Sequence, residues 1–189
     1  MTHHQDAIAL LTDDHRTVEQ LFADYERGLQ GPEAKRQVVD QLIRELSVHA
    51  AIEEAYFYPE VRKALGEGGE LVDESLHEHQ EVKETLAALE DMDPSDAAYD
   101  QKIASLIADV RHHVAEEEGE MFPKLRAALS AEQLADIGQK LVEGKAKAPT
   151  RPHPAAPASG PGAKVAGPAA GMVDRVRDKL GDRPSDPDA

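Results

Sequence analysis

The chain has 189 residues, a formal net charge of −16 and no cysteine, and this length suits one domain of ordinary size with a tail. The lack of cysteine excludes disulfides, thiolate zinc sites, iron-sulfur clusters and cysteine nucleophiles, so a bound metal must have nitrogen and oxygen ligands. Residues 1–143 carry 13 Lys/Arg and 32 Asp/Glu, giving −19, whereas residues 144–189 carry 8 and 5, giving +3, and so acidic a first part excludes nucleic acid as its partner.

The first predicted helix has an apolar stripe that includes a histidine. Its members recur at alternating steps of three and four, which places them on one face of a helix. His15 lies in the middle of this stripe and is therefore expected to point into the core. The stripe consists of Ile8, Leu11, His15, Val18, Phe22, Tyr25 and Leu29.

The second predicted helix opens at Pro32, because proline is tolerated at a first helical position. Its inward series changes from apolar to polar in its second half and consists of Val39, Leu42, Leu46, His49, Glu53 and Tyr56. Four residues along a helix advance the axis by about 6 Å, so His49 and Glu53 are stacked on one face.

The third and fourth predicted helices repeat this arrangement. The third has an inward row of Val72, Ser75, His79, Val82, Leu86 and Leu89. The fourth is expected to open at Pro94, and its inward row consists of Ile103, Leu106, Val110, His113, Glu117 and Glu120. No strand pattern is present, so the sequence predicts an all-α, up-down-up-down four-helix bundle over residues 1–143.

Two further segments follow the four helices. Ser130 and Gln133 form a capping-box pattern, which predicts a short fifth helix covering one end of the bundle. Residues 144–189 are rich in Ala, Pro and Gly, which predicts a disordered tail, with residues 170–181 as a candidate short amphipathic helix that docks a partner or a membrane surface. The chain has no run of about 20 apolar residues and no secretory signal, so we expect a cytoplasmic protein without a transmembrane segment.

An internal repeat relates the two halves of the bundle. An offset of 64 residues aligns residues 49–65 with 113–129, where eight of 17 positions are identical, and the same offset places His15 on His79. Two copies of a helix pair imply an approximate two-fold axis through the core. The repeat also selects His113 rather than His112 as the counterpart of His49.

Two-fold pairing brings four imidazoles and two carboxylates toward a common centre. A single inward histidine is more often a hydrogen-bonded core residue, and a His/Glu pair four residues apart is often a solvated helix surface. Two buried carboxylates beside four histidines, however, are well compensated by bound cations. The predicted ligands are His15, His49, Glu53, His79, His113 and Glu117, a set that suits iron, manganese or zinc.

These motifs resemble those of hemerythrin-like, or HHE cation-binding, domains. The resemblance covers residues 5–129 and is carried by His15 in DDHRTVEQLF, by HAAIEEAYFYP, by His79 in HEHQEVKETL and by HHVAEEEGEMFP. It implies two non-haem iron ions bridged by Glu53, Glu117 and an oxygen atom, with the four histidines as terminal ligands. It also implies binding of, or reaction with, O2, peroxide or NO.

The resemblance leaves the activity open. Oxygen-carrying hemerythrins have a fifth histidine where this chain has Ser75, so both irons are expected to keep an exchangeable position. The alternatives are a peroxide-decomposing, catalase-like or other oxidoreductase activity, and a non-catalytic iron or oxygen sensor that signals to a protein partner through the tail. Tyr56 and Glu120 are candidates for hydrogen bonding to the site or for an additional ligand.

Overall fold

The computed structural model describes residues 5–66, 69–157 and 160–180, and within these ranges it is helical without strands. This confirms the predicted all-α class. The helices are α1 (Ala7–Glu26), α2 (Pro32–Ile52), α3 (Tyr58–Leu65), α4 (Gly69–Asp91), α5 (Tyr99–Glu116), α6 (Phe122–Ala128), α7 (Ala131–Lys145) and α8 (Gly160–Leu180). Helix α1 packs on α2, and α4 packs on both α2 and α5.

The helix starts follow local capping chemistry. The carboxylate of Asp6 accepts a hydrogen bond from the backbone N–H of Ala9 and caps α1, and α2 begins at Pro32 as predicted. The expected start of the fourth helix at Pro94 is wrong. The side chain of Asp93 instead accepts a hydrogen bond from the backbone N–H of Ser95, which favours a turn, and α5 begins at Tyr99.

The second and fourth predicted helices each contain one π-helical turn. Glu53–Phe57 joins α2 to α3, and Glu117–Met121 joins α5 to α6. In both turns an N–H bonds to the carbonyl five residues earlier, from Tyr58 to Glu53 and from Phe122 to Glu117. Each turn is followed by a proline, which has no N–H to donate and therefore favours this wider turn.

The apolar core is divided into two layers. One layer lies near α7 and contains Ile8, Leu11, Phe57, Phe122 and Leu141. The other lies toward the opposite end and contains Phe22, Leu42, Leu86, Leu89 and Leu106. In the sequence of every bundle helix, the predicted inward histidine falls between residues of these two layers, so the polar residues occupy the middle of the bundle.

The predicted fifth helix is α7, and it covers the end of the bundle. Ser130 and Gln133 form the expected capping box. A Cβ added to Gly138 would lie 2.4 Å from the carbonyl oxygen of Gln5, so this glycine permits a backbone contact between α7 and the start of α1. In the part of the chain that the structure describes, no helix is both long and apolar enough to cross a bilayer.

The tail packs on the bundle where the sequence predicted disorder. Asp174 of α8 is fully buried and accepts hydrogen bonds from the N–H groups of Thr150 and Arg151 and from His153. The side chain of Gln80 in α4 donates to the carbonyl of Pro154. The amino-acid composition of the tail does not reveal these contacts, because each depends on a single residue that is distant in sequence from its partner. Residues 158–159 and 181–189 of the predicted tail lie outside the described residues, and the boundary at residue 143 stays a prediction.

Candidate metal centre

The six side chains that the sequence singled out converge in the middle of the bundle, and all six are buried. Ligand-type atoms of His15, His49, Glu53 and Glu117 lie within 4.8 Å of one another, and those of Glu53, His79 and His113 form a second such group. Glu53 is therefore common to both groups. The tip nitrogens of His79 and His113 are 3.2 Å apart, and Nε2 of His15 is 3.3 Å from Oε2 of Glu117.

The inward atoms of this cluster are suited to a metal ion. Four of them have no hydrogen-bond partner among the described residues, although burial of such groups is costly. These are Nε2 of His15, Nε2 of His49, Oε1 of Glu53 and Oε2 of Glu117. Two atoms bound to one ion at about 2.1 Å lie about 3 Å apart, which is the order of the separations found here. The donor set of imidazoles and carboxylates fits iron, manganese or zinc.

The outer nitrogen of each histidine is held by a carboxylate. Nδ1 of His15 lies 2.8 Å from Glu118 and Nδ1 of His79 lies 3.1 Å from Glu54. Such contacts fix the ring orientation, direct Nε2 inward and increase the basicity of the histidine toward a metal.

The other two histidines are held in the same way by residues that the sequence analysis missed. Nδ1 of His49 lies 3.5 Å from Asp14, and Nδ1 of His113 lies 2.8 Å from Glu78. A signal for both was present, because the acidic residue before the inward histidine recurs in Asp14-His15 and Glu78-His79 at the 64-residue offset.

The two halves of the cluster place a lysine beside different carboxylates. Lys83 is buried and bonds both oxygens of Glu54 at 2.6 and 2.7 Å, so the carboxylate that holds His79 is neutralised. The repeat places Glu19 where the other half has Lys83, and the side chain of Glu118 is 41% exposed. On the His15 side the lysine is Lys145, and it pairs with Asp14, the carboxylate that holds His49.

A tyrosine reaches the cluster, but it is Tyr58 and not the predicted Tyr56. The Tyr58 hydroxyl lies 3.0 Å from Glu117 Oε1, 3.2 Å from His79 Nε2 and 3.4 Å from Glu53 Oε2. The π-helical turn adds about one residue to the helical repeat and so brings the fifth residue after Glu53 over the site. Tyr56 is half-buried, with its ring against Gly144 of α7.

Phe122 is the repeat counterpart of Tyr58 and has no hydroxyl. Its ring stacks on His15 with centroids 5.8 Å apart and planes at 4°, and the ring of Tyr58 lies 5.4 Å from that of His79. Only one half of the cluster therefore has a phenol beside its histidine.

The expectation for Glu120 is corrected. Its side chain is 54% exposed and pairs with Lys124, because the π-helical turn rotates it away from the inward row. His77 and His112 are also exposed, at 75% and 66%, as predicted for surface residues. Ser75 is buried and donates its hydroxyl to the carbonyl of Leu71.

The carboxylates raise the pKa of His79 and of His49. Burial lowers the pKa of His79, but its contacts with Glu53 and Glu54 outweigh burial and raise the pKa to about 9. Burial is likewise outweighed at His49, whose pKa rises well above its usual range because of Glu53 and Asp14. Burial raises the pKa of Glu53, yet the charge of His49 holds it well below its usual range. Burial, followed by Glu117, raises the pKa of Tyr58 and keeps its hydroxyl protonated.

A cavity of about 20 Å³ lies against the rings of all four histidines. This volume is enough for one water-sized ligand. Its remaining wall is apolar and consists of Val18, Leu46, Ala50, Val82, Val110 and Val114. The ten lining residues form five pairs related by the 64-residue offset, so both halves of the repeat contribute equally to the cavity.

Comparisons with known proteins agree with this architecture. The family model described as "Hemerythrin HHE cation binding domain" matches residues 6–125. An uncharacterized hemerythrin-like protein of Schizosaccharomyces pombe is 32% identical over 183 residues, which are 95% of this chain and 87% of that protein. A DNA nickase of Nostoc sp. is 30% identical over 143 residues, which are 76% of this chain and 39% of that protein.

A solved structure shows the same fold. The crystal structure of a hemerythrin HHE cation binding domain-containing protein from Mycobacterium kansasii superposes with a TM-score of 0.65 at 23% identity. The match covers 75% of this chain and 85% of that one.

Proposed function

The chain belongs to the hemerythrin HHE cation-binding domain family, and on this premise we propose that it is a non-haem di-iron protein that binds or reacts with O2, peroxide or NO. The family supports the binding of metal cations. We further propose that the metal is iron, that each chain binds two ions, and that the protein is cytoplasmic.

The proposed ligands are the six converging residues. Glu53 and Glu117 would be shared by the two ions, His15 and His49 would hold one ion, and His79 and His113 would hold the other. The grouping of His15 with His49 and of His79 with His113 supports this division. When bound, two irons would supply electrons and open positions for a small ligand.

The observation that carries the proposal is the cavity beside the four histidines. Its volume of about 20 Å³ and its apolar wall suit a diatomic or similarly small uncharged ligand and exclude larger substrates. The protein's own residues would keep this space dry and hold the histidine rings in place through four carboxylates. Tyr58 would hold a proton 3.0 Å from Glu117 and beside His79.

Anaerobic reduction of the iron-loaded protein, followed by the addition of O2, peroxide or NO, tests the proposal. We expect two irons per chain and a ligand-dependent absorption spectrum. Reversible cycling with O2 would indicate carriage or sensing, and turnover of peroxide would indicate an enzyme. An iron-loaded protein whose spectrum none of the three ligands changes would refute the proposed function.

The alternative of a sensor is favoured by the position of α8. This helix contacts the π-helical turn that contains Glu53, and it exposes Met172, Val173 and Val176 to solvent. A change in the site could thus alter a surface that suits a protein partner. Hydrogen exchange of α8 in the oxidised and reduced protein would separate the two hypotheses, because only a sensor needs the helix to respond.

The likeness to a DNA nickase supports no second proposal. The matched part is 39% of that protein, and residues 1–143 of this chain carry 13 Lys/Arg against 32 Asp/Glu. So acidic a domain repels a phosphate backbone. We therefore keep the expectation that this domain has no nucleic-acid partner.

A further inference from the structure

Two seams between helices lead from the surface toward the cluster, and the repeat relates them to each other. One lies between α1 and α5, and the other between α4 and α2. Residues that line the first seam correspond at the 64-residue offset to residues that line the second. The pairs are Glu19 with Lys83, Arg111 with Ser47, Ala115 with Ala51, and Glu118 with Glu54.

The α1/α5 seam is a groove of about 260 Å³. The groove and the cavity beside the histidines share His15, Val18, Val110 and Val114 as lining residues. A layer one side chain thick thus separates the groove from the cavity. At the rim, Arg111 pairs with Glu19 and Glu26 at 2.6 and 2.9 Å.

The α4/α2 seam is covered by the chain itself. Residues of the segment 149–157 lie over it, and the remaining space is about 40 Å³. This segment is held by Gln80, whose side chain donates to the Pro154 carbonyl, and by the ion pair of Arg151 with Glu90. The buried carboxylate of Asp174 holds the same segment to α8.

We propose that the α1/α5 groove is the route by which a small uncharged ligand reaches the cluster, and that residues 149–157 close the related entrance. The inference rests on the proposed function, since it presumes that a small ligand binds there. Val18, Val110 and Val114 form an apolar passage, and an ion would lose its hydration in crossing it. The passage therefore selects neutral diatomic molecules over anions.

The rates of NO binding to the ferrous protein, measured by stopped flow, test the route. Ala115 is exposed in the groove, so Ala115→Trp fills the groove without disturbing the core. We expect this variant to slow NO association at least roughly tenfold. Dissociation slows by the same factor and the affinity is unchanged, because an obstructed route affects both directions. Ser105→Trp is the matched control, because Ser105 is exposed in the same helix but lines neither the groove nor the neighbouring cavity between α1 and α5.

The closing role of the tail is tested in the same assay. Asp174→Ala releases the segment 149–157, and combined with Ala115→Trp it is expected to restore fast association through the second seam. A double variant that remains slow, although trypsin cleaves its segment faster than in the wild type, would overturn the closing role. Equal rates for Ala115→Trp and Ser105→Trp would overturn the route. If the iron-loaded wild type binds O2 but not NO, the same rates are measured with O2. A wild type that responds to none of NO, O2 and peroxide would overturn the proposed function and the route with it.

Discussion

The hydroxyl of Tyr58 lies 3.0 Å from Oε1 of Glu117, although the two residues come from different halves of the repeat. Burial and Glu117 raise the pKa of Tyr58, so the hydroxyl remains protonated and donates to the carboxylate. The other half has Phe122 at this position. The repeat therefore provides no second hydroxyl, and Glu117 has the shorter of the two contacts that Tyr58 makes with the inward carboxylates.

Tyr58→Phe is expected to retain iron, because Phe122 shows that a phenyl ring fits the equivalent position. Loss of the donor makes Glu117 a stronger electron donor and favours the oxidised metal. A hydrogen bond worth about 1.4 kcal/mol corresponds to a reduction potential lower by about 60 mV. Spectroelectrochemical titration measures this shift, with Tyr56→Phe as the control. Equal potentials for the two variants would contradict the role of Tyr58.

A comparison of alanine variants at His77 and His79 tests the assignment of the metal ligands. His79 is buried with Nε2 3.3 Å from Glu53, whereas the side chain of His77 is 75% exposed and pairs with Glu81. We expect His79→Ala to lose about half of the bound iron or more, since one ion keeps a single histidine. His77→Ala should bind as much iron as the wild type. Metal analysis after gel filtration measures both, and equal iron contents would refute the assignment.

Metal binding should release protons at neutral pH. The raised pKa of His79, about 9, and the raised pKa of His49 leave both rings protonated in the metal-free protein at pH 7. A metal ion requires the neutral rings, so affinity should increase with pH at all values below about 9. Calorimetry in buffers of different ionisation enthalpy counts the released protons. Binding without proton release would show that these rings are neutral before the metal arrives.

The fold and the convergence of the six predicted residues could be read from the sequence, because a histidine in an apolar stripe has one inward direction in a regular helix. The repeat was equally informative, since it distinguished His113 from its neighbour His112. The second inference rests on the 64-residue offset, and the first rests on the 3.6-residue period, which is the strongest pattern that a helical sequence has.

The errors arose where that period fails. A π-helical turn after Glu53 replaces Tyr56 by Tyr58 at the cluster, and the matching turn after Glu117 moves Glu120 to the surface. The packed tail was missed for another reason. Its contacts depend on the single buried carboxylate of Asp174, and composition averages over such residues.

Asp174 should determine how firmly the tail is held. Its carboxylate accepts three hydrogen bonds while fully buried, and their loss is worth a few kcal/mol. Trypsin should therefore cleave after Lys147 at least roughly tenfold faster in Asp174→Ala than in the wild type. Arg177→Ala changes an exposed residue of the same helix and is the control. Equal cleavage of the three proteins would mean that the tail is held by other contacts.

Gly138 should tolerate no side chain. A Cβ there would lie 2.4 Å from the Gln5 carbonyl oxygen and 3.0 Å from the Ala7 nitrogen, both of which are backbone atoms. Gly138→Ala is expected to lower the free energy of unfolding by about 1–3 kcal/mol, because α7 must move away from α1. At Gly119 an added Cβ meets nothing within 4 Å, so Gly119→Ala should be neutral or slightly stabilising. Urea denaturation compares the two, and a neutral Gly138→Ala would contradict the close contact.

The carboxylates behind the histidines join the helices in a closed circuit. The ring of His15 on α1 is held by Glu118 in the turn after α5. The ring of His113 on α5 is held by Glu78 of α4. The ring of His79 on α4 is held by Glu54 in the turn after α2. The ring of His49 on α2 is held by Asp14 of α1. Every helix thus both holds one ring and is held through another. A slip of any one helix misaligns two rings at once, which makes the capacity to bind metal an all-or-none reporter of correct bundle assembly.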